Sequence, residues 1–140
     1  MSNSNINVAK FGGTSVADYD AMVRCAEIVL SNPNTRLVAV SASSGVTNHL
    51  VSLANDTLSE AERQAHIDAV VAIQHNITEK LTLDTDITDG FLATLEAFKA
   101  HALTSEFDAR ATDELLSFGE RLSSYLFTLP TISSNFSMSL

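Results

Sequence analysis

Apolar and polar positions along the first forty residues predict three elements in a row. Residues 6–11 alternate apolar with other side chains and end at a glycine, which is typical of a short strand. Over 18–30, apolar residues recur at helical spacing, and Ser15 followed by Asp18 predicts a capping box at the start of this helix. The central four residues of 36–41 are all apolar, which predicts a strand buried on both faces of a parallel sheet. Strand, helix and strand in this order form a βαβ unit.

The rest of the chain is predicted to be helical. A short helix covers 46–54, and Thr57-Leu58-Ser59-Glu60 has the pattern of a capping box that opens a long helix. A polar break at 84–89 separates this helix from the next one. Thr112 is a suitable N-cap for a last helix, which Pro130 is expected to end.

Composition and charge narrow the class of protein. The 140 residues are 45% hydrophobic, which indicates a globular domain with a core. Lys and Arg number 8 against 17 Asp and Glu, and the net charge of -9 disfavours nucleic acid and anionic membranes as partners. Neither an apolar run of about 20 residues nor a signal-peptide pattern is present, so a cytoplasmic location is expected. Cys25 is the single cysteine and is interpreted as a packing residue.

Two small, hydroxyl-rich loops follow the two predicted strands. Gly12-Gly13-Thr14-Ser15 follows the first strand and Ser41-Ala42-Ser43-Ser44-Gly45 the second. The carboxyl ends of parallel strands lie at one edge of a sheet, where ligands bind in open α/β folds, so both loops should face one crevice. Lys10 beside the glycines suggests an anionic ligand. Taken alone, Lys10 with Gly12 and Gly13 equally fits a tight turn with a solvated lysine, and only the second loop weakens that interpretation.

Glu120 is a further candidate binding residue. It follows Gly119 inside a predicted helix, where glycine costs roughly 1 kcal/mol relative to alanine and therefore indicates a close approach by another backbone or a ligand. Its carboxylate could receive the ammonium group of a ligand, or it could pair with Arg121 at the surface. The four histidines show no ligand-like spacing in the sequence and are interpreted as solvated. The acidic residues of 84–89 lack the glycine position and closing glutamate of a calcium loop.

Three segments together resemble a known family. Lys10-Phe11-Gly12-Gly13-Thr14-Ser15-Val16, Ser41-Ala42-Ser43-Ser44-Gly45-Val46-Thr47-Asn48 and the segment from Thr112 to Ser123 are similar to the successive N-terminal motifs of aspartokinases. The resemblance covers about residues 6–127 and is nearest to the monofunctional, lysine-sensitive type. It implies a three-layer α/β/α amino-acid-kinase fold, of which this chain would form the N-terminal portion with the βαβ core.

The resemblance also implies a reaction and a set of site residues. Aspartokinases transfer the γ-phosphoryl group of ATP, with Mg²⁺, to the side-chain carboxylate of L-aspartate, giving 4-phospho-L-aspartate for lysine, threonine and methionine biosynthesis. The implied catalytic residue is Lys10. The residues that the resemblance assigns to the phosphoryl group are Lys10, Phe11, Gly12 and Gly13, and those that it assigns to aspartate are Ser41, Thr47 and Glu120.

The chain also departs from the family pattern. Residues 1–129 are expected to form the aspartate-binding half of the kinase domain, and residues 130–140 match nothing in the family and are expected to form a disordered tail. The segments that hold the adenine, the ribose and the metal are expected to be absent. These departures favour the hypothesis of a truncated product. The alternative is a noncatalytic fragment that binds aspartate or dimerises, and a homo-oligomer is left open.

Overall fold

The computed structural model describes residues 6–81, 85–103 and 106–139, with side chains described as far as Thr128. None of the helices described is long and apolar enough to cross a membrane. The elements in chain order are β1 (Asn7–Phe11), a 3-10 turn (Gly13–Val16), α1 (Tyr19–Ser31), β2 (Thr35–Val40), α2 (Val46–Leu53), α3 (Glu60–Thr78), α4 (Thr85–Ala102) and α5 (Ala109–Ser139).

The two strands pair in parallel, as the sequence predicts. Val8 aligns with Leu37, and Phe11 aligns with Val40 at the carboxyl ends of the strands. One face of this sheet packs against the helices, because the Phe11 ring lies 5.7 Å from the ring of Phe127 in α5. The parallel arrangement places the loops after both strands at the same edge, which is the geometry that a ligand site of this class requires.

The other face of the sheet is exposed. Val8 is 63% exposed and its register partner Leu37 is 59% exposed, and Ile6 just before β1 is also exposed. The prediction that β2 is buried on both faces is therefore wrong for this chain. Its apolar residues alternate between a face covered by helices and a face that no described element covers. Parallel sheets are ordinarily covered on both sides, so this bare apolar face is unusual.

Helix α5 forms the centre of the core. It packs against α1, α2, α4 and β2. Leu115, Leu122 and Leu126 recur along one side of it and are fully buried. Burying a leucine side chain stabilises a fold by about 1.5–3 kcal/mol. This face of α5 therefore holds α1, α2, α4 and β2 in one core.

Two of the predicted helix starts lie at other residues. Asp18, rather than Ser15, caps α1, because its carboxylate accepts a hydrogen bond of 2.8 Å from the backbone N–H of Ala21. Ser15 lies inside the 3-10 turn that precedes the helix. At α3 the capping box is Ser59 with Glu62, each side chain accepting from the other's backbone N–H. The Thr57 hydroxyl instead donates to Asn55 Oδ1 in the preceding turn.

The start of α4 and both ends of α5 also differ from expectation. Residues 85–89 belong to α4 rather than to a polar break, and Asp84 lies outside the described residues. Helix α5 begins at Ala109, where Asp108 accepts from the Ala111 N–H at 2.8 Å, so Thr112 is not its N-cap. The backbone of α5 also continues through Pro130 to Ser139. A proline removes one hydrogen bond of a helix but does not prevent later residues from keeping helical angles.

Arg63 is a buried cation with no carboxylate partner among the described residues. It is 7% exposed, and its guanidinium donates to the backbone oxygens of Leu53 at 2.7 Å, Asn55 at 3.0 Å and Ala102 at 3.1 Å. Leu53 and Ala102 are the last residues of α2 and α4, whose final carbonyl groups lack partners within the helix. The guanidinium therefore satisfies the ends of two helices and complements the negative ends of their dipoles.

Replacing this guanidinium tests its role in stability. Arg63→Met is expected to lower the free energy of unfolding by about 1–3 kcal/mol, because it leaves buried carbonyl oxygens without donors. Urea denaturation followed by circular dichroism measures the change. Arg36→Met is the matched control, since Arg36 is exposed and donates to a single backbone oxygen, that of Pro33. Equal effects of the two substitutions would show that Arg63 is not a clamp between helices.

Candidate functional site

The loops after β1 and β2 lie side by side, as the parallel sheet predicts. The backbone N–H of Ser41 donates to the Phe11 oxygen at 3.0 Å, and that of Ser44 donates to the Gly13 oxygen at 3.1 Å. A Cβ atom on Gly13 would lie 2.9 Å from the oxygen of Ala42, which is closer than real Cβ contacts allow. The glycine is therefore required for the two loops to be in contact.

Gly119 brings α5 against the same loop. A Cβ atom at this position would lie 2.7 Å from Ala42 Cβ and 3.1 Å from Leu50 Cδ1 in α2. The expectation that a glycine inside this helix marks a close approach is confirmed, and the approaching group is protein rather than ligand. Because Gly119 has no side chain, α5 packs directly on the loop that follows β2.

Ala42 is thus the point at which three separate segments meet. We call the contact of Gly13, Ala42 and Gly119 the Ala42 junction. Each of the three residues lies within one of the segments that sequence analysis singled out, although the three segments are far apart in the chain. The junction fixes the positions of their neighbours, among which are Lys10, Ser41 and Glu120.

Lys10 lies near the end of β1, beside Ala39 of β2. Its side chain is exposed, and no carboxylate among the described residues is within ion-pair distance of it. Two residues later, Gly12 has no atom within 4 Å of the place where a Cβ would stand. An unpaired ammonium group beside open space is suited to bind an anion. Phe11 differs from these residues, because its ring packs into the core and leaves only its backbone for a ligand.

The two predicted substrate hydroxyls flank the beginning of α2. Ser41 is half-buried directly after β2, and Thr47 is exposed in the first turn of α2. Neither hydroxyl hydrogen-bonds to another residue of the described chain. Between them, Gly45 has a φ of 91°, a left-handed conformation that glycine adopts without strain and that turns the chain into the helix. The first N–H groups of α2 follow, and such groups favour negative charge.

Glu120 is exposed on α5, directly after the Ala42 junction. No cation of the described residues lies within 4 Å of its carboxylate, and Lys10 is not in contact with it. Arg121 stacks instead on the ring of Phe118, with its guanidinium carbon 4.5 Å from the ring centre. The surface pair of Glu120 with Arg121 that the sequence allowed is therefore not formed.

Three further residues lie near the site. The sequence offered the Ser43 hydroxyl either as a contact for a small polar ligand or as a turn or capping group; the side chain is 1% exposed, and its hydroxyl has no hydrogen-bond partner among the described residues. Ala42 has no polar group, so a search of the sequence for reactive or ligand-binding side chains does not identify it. Cys25 donates a hydrogen bond from Sγ to the oxygen of Ser15 at 3.2 Å, and burial raises the pKa of its thiol. These contacts agree with the prediction that Cys25 is a packing residue.

The interpretation of all four histidines as solvated holds for His75, whose side chain is 70% exposed, and is wrong for the other three. His101 is half-buried beside the rings of Phe107 and Phe118, with its Nε2 2.8 Å from the Ala111 oxygen.

His49 in α2 and His66 in α3 are both half-buried and contact each other. A contact between residues 17 positions apart depends on the packing of two helices, so the spacing along the sequence did not reveal it. No group of three or more His, Cys, Asp or Glu residues that could hold a metal ion occurs within the described ranges.

Comparison with known proteins places this geometry in a family. The sequence profile of the amino acid kinase family matches residues 5–129. The chain is 48% identical to lysine-sensitive aspartokinase 3 of Escherichia coli over 126 residues, which are 89% of this chain and 28% of that protein. It is 50% identical over 76 residues to a Haemophilus influenzae protein that is provisionally named an inactive aspartokinase 3, and this match covers 54% of the chain and 62% of that protein.

Solved structures show the same relationship. The chain superposes on E. coli aspartokinase III in complex with aspartate and ADP with a TM-score of 0.86 and 44% identity, covering 94% of this chain and 30% of that one. Superposition on aspartate kinase of Clostridium acetobutylicum gives a TM-score of 0.68 at 19% identity, which shows the fold alone. The α/β fold class expected from the sequence is confirmed. The chain spans less than a third of the length of the E. coli protein.

The Ala42 junction can be tested by adding one methyl group. Gly119→Ala is expected to lower the free energy of unfolding by about 1–3 kcal/mol, because the new Cβ overlaps Ala42 in a packed core. Ordinarily the same change in a helix is stabilising by about 0.5–1 kcal/mol. Gly12→Ala is the control, since its Cβ would meet no atom within 4 Å. A Gly119→Ala chain as stable as the parent in thermal unfolding would show that α5 does not need this close contact.

Proposed function

Because the chain belongs to the amino acid kinase family, we propose that it carries the aspartate-binding half of an aspartate kinase. The proposed reaction transfers the γ-phosphoryl group of ATP to the side-chain carboxylate of L-aspartate and gives 4-phospho-L-aspartate. This would be the first step of lysine, threonine and methionine biosynthesis in the cytoplasm. Residues 1–129 would form this half of the domain, and residues 130–140 would lie outside it.

One observation carries the proposal, namely the convergence of three segments at the Ala42 junction. Gly13 and Gly119 both lack the side chain that would push their segments away from Ala42. The junction lies at the edge where both parallel strands end, which is where ligands bind in open α/β sheets. The groups that flank it are an ammonium group, hydroxyl groups and a carboxylate. This set is complementary to a phosphoryl group together with an amino acid.

Lys10 is proposed to stabilise the transferring phosphoryl group. Phosphoryl transfer asks little covalent chemistry of the protein, and catalysis depends on positioning and on fixed positive charge. No carboxylate in the described part of the chain neutralises Lys10, and the open space at Gly12 lets an anion approach the main chain. The backbone groups of Phe11, Gly12 and Gly13 would hold phosphoryl oxygens next to it. With a net charge of -9, the protein needs such a local positive feature to bind two anionic substrates.

Ser41, Thr47 and Glu120 are proposed to bind aspartate. Neither hydroxyl bonds to a residue that the structure describes, so both can bond to the carboxylates of the substrate. Glu120 pairs with none of the described cations and would receive the substrate ammonium group, since a charge-assisted hydrogen bond of this kind is stronger than a neutral one. In support, the solved structure of E. coli aspartokinase III that this chain resembles contains aspartate and ADP.

ATP is proposed to enter as its magnesium complex. Magnesium prefers oxygen ligands and is commonly held by substrate phosphates with one or two carboxylates. The described residues contain no cluster of acidic or histidine side chains that would hold it independently of the nucleotide. The residues of this chain that we assign to the nucleotide, Lys10, Phe11, Gly12 and Gly13, would contact its phosphoryl end.

A noncatalytic fragment is the alternative, and the bare face of the sheet favours it. Ile6, Val8 and Leu37 expose apolar side chains on a parallel sheet, where a covering layer is ordinarily present. Such a surface promotes self-association, so this fragment would bind aspartate or dimerise without turning over ATP. Both functions require the aspartate-binding groups. Only the kinase would turn over ATP, so a measurement of turnover distinguishes the two.

Formation of aspartyl hydroxamate tests the catalytic function. The purified 140-residue chain is incubated with ATP, magnesium, aspartate and hydroxylamine, and the product is measured by its colour with ferric ion. Turnover is expected to fall about 10²–10³-fold in Lys10→Ala, since removing one preorganised electrostatic group costs this much in other enzymes. Lys80→Ala is the matched control, because Lys80 is an exposed lysine in the turn that follows α3. Turnover that Lys10→Ala leaves unchanged would contradict the assignment of Lys10.

Calorimetric titration with aspartate tests the binding half separately. Glu120→Gln is expected to weaken aspartate binding about tenfold or more, because it removes the charge that the ammonium group requires. Glu27→Gln on the exposed side of α1 serves as the control. Binding that depends on Glu120 without any turnover would establish the noncatalytic fragment. Failure of the folded chain to bind aspartate would contradict both functions.

A further inference from the structure

A cavity lies between α3, α4 and α5, and its volume is about 180 Å³. Phe91, Leu92 and Leu95 of α4 and Leu126 of α5 form its apolar walls. Three of these side chains are buried, whereas Leu92 is 50% exposed and therefore lies at the mouth. None of the lining residues belongs to the loops after β1 and β2, so the cavity has no part in the proposed reaction.

The polar side chains around this cavity are engaged elsewhere. The Thr78 hydroxyl donates to the backbone oxygen of His75 at 3.0 Å, and Thr88 is likewise not free. The His75 side chain is 70% exposed, with Nε2 3.7 Å from a carboxylate oxygen of Glu79. None of the lining residues is Asp, Glu, Lys or Arg. The surface inside the cavity is therefore almost wholly apolar.

Direct contacts fix the spacing of α4 and α5 beside the cavity. A Cβ atom on Gly90 would lie 2.6 Å from Tyr125 Cε1, so the Tyr125 ring packs closely on the backbone of α4. Both of these residues directly precede a wall residue in the chain. Further along the same two helices, the rings of Phe98 and Phe118 lie with their centres 5.9 Å apart. Because packed helices resist small shifts, these contacts keep the cavity open and preformed.

We propose that this cavity is a binding site for a neutral molecule with a single aromatic ring. Water is held weakly in such a cavity, because a buried water molecule needs two to four polar partners. An apolar cavity of about 150 Å³ in another protein binds benzene, so a volume of about 180 Å³ has room for one ring with a small substituent. A ring beside Phe91 also gains from aromatic packing, beyond the gain from burying its surface.

The lining sets the charge of the ligand. An anionic ring compound would lose its hydration with no Lys or Arg in the lining to pair with, and the net charge of -9 repels it. A cationic compound would find no carboxylate in the lining either. The cavity therefore selects a neutral ring over a charged ring of the same size.

A ring in this cavity would contact three helices at once. A ligand that binds only the folded chain stabilises it by mass action, because the unfolded chain does not hold the three helices together. The melting temperature therefore reports binding without any measurement of catalysis.

The test uses the purified 140-residue chain with toluene as the probe and benzoate as its charged counterpart. Toluene near saturation is expected to raise the melting temperature by about 2–6 °C, and benzoate at the same concentration is expected to leave it unchanged. Leu92→Trp should weaken toluene binding about tenfold or more, because the larger side chain occupies the mouth of the cavity. Leu103→Trp is the matched control, since Leu103 is also an exposed leucine, at 58%, and does not line this cavity. It should bind toluene as the parent does.

Nuclear Overhauser contacts in the parent chain keep the proposal testable even where a variant fails to fold. Contacts from toluene to the methyl groups of Leu95 and Leu126 are expected. Contacts to Val8 and Leu37 alone would place toluene on the bare face of the sheet and would overturn the proposal. So would an unchanged melting temperature, benzoate that binds as tightly as toluene, a folded Leu92→Trp chain with the affinity of the parent, or a control variant that loses binding. None of these results depends on whether the chain is an aspartate kinase.

Discussion

The site rests on a steric constraint, since two glycines must contact the same alanine. A methyl group on Gly13 or on Gly119 would occupy space that Ala42 already fills. Because packed interiors do not deform to accept an added methyl group without cost, these positions specify how closely the first loop, the second loop and α5 approach. The orientation of Lys10, Ser41 and Glu120 at the sheet edge follows from these contacts. The packing of the two glycines on Ala42 therefore determines where the polar side chains of the site lie.

Local patterns in the sequence predicted most of the architecture. The strand, helix and parallel strand are present, as are the amphipathic helices, because burial of an apolar face sets their periods. Helix starts were less well predicted, since several polar residues near each start can act as a cap. Asp18 and Asp108 are the caps observed, where Ser15 and Thr112 were expected. Pro130 was likewise expected to end α5, but the backbone remains helical to Ser139. A single helix-breaking residue was therefore not enough to predict the end of this helix.

The candidate site was predictable to the extent that its residues share short motifs. Gly119 indicated a close approach, and the structure shows the partner to be Ala42 and Leu50. Three features depend on long-range packing and have no local signal, namely the Arg63 clamp, the buried hydroxyl of Ser43 and the pair of His49 with His66. Each of them arises where two helices or a helix and a loop meet. The pattern of apolar and polar residues along one segment does not show which other segment it contacts.

The bare face of the sheet bears on how this chain behaves while it is being synthesised. Val8 and Leu37 belong to the first two strands, so they leave the ribosome before every helix from α2 onward. At translation rates of about 5–20 residues per second, both residues are outside the ribosome for roughly 5–20 seconds before α5 is complete. No described element covers them after folding either. Neighbouring chains can therefore reach this apolar surface both during synthesis and afterwards.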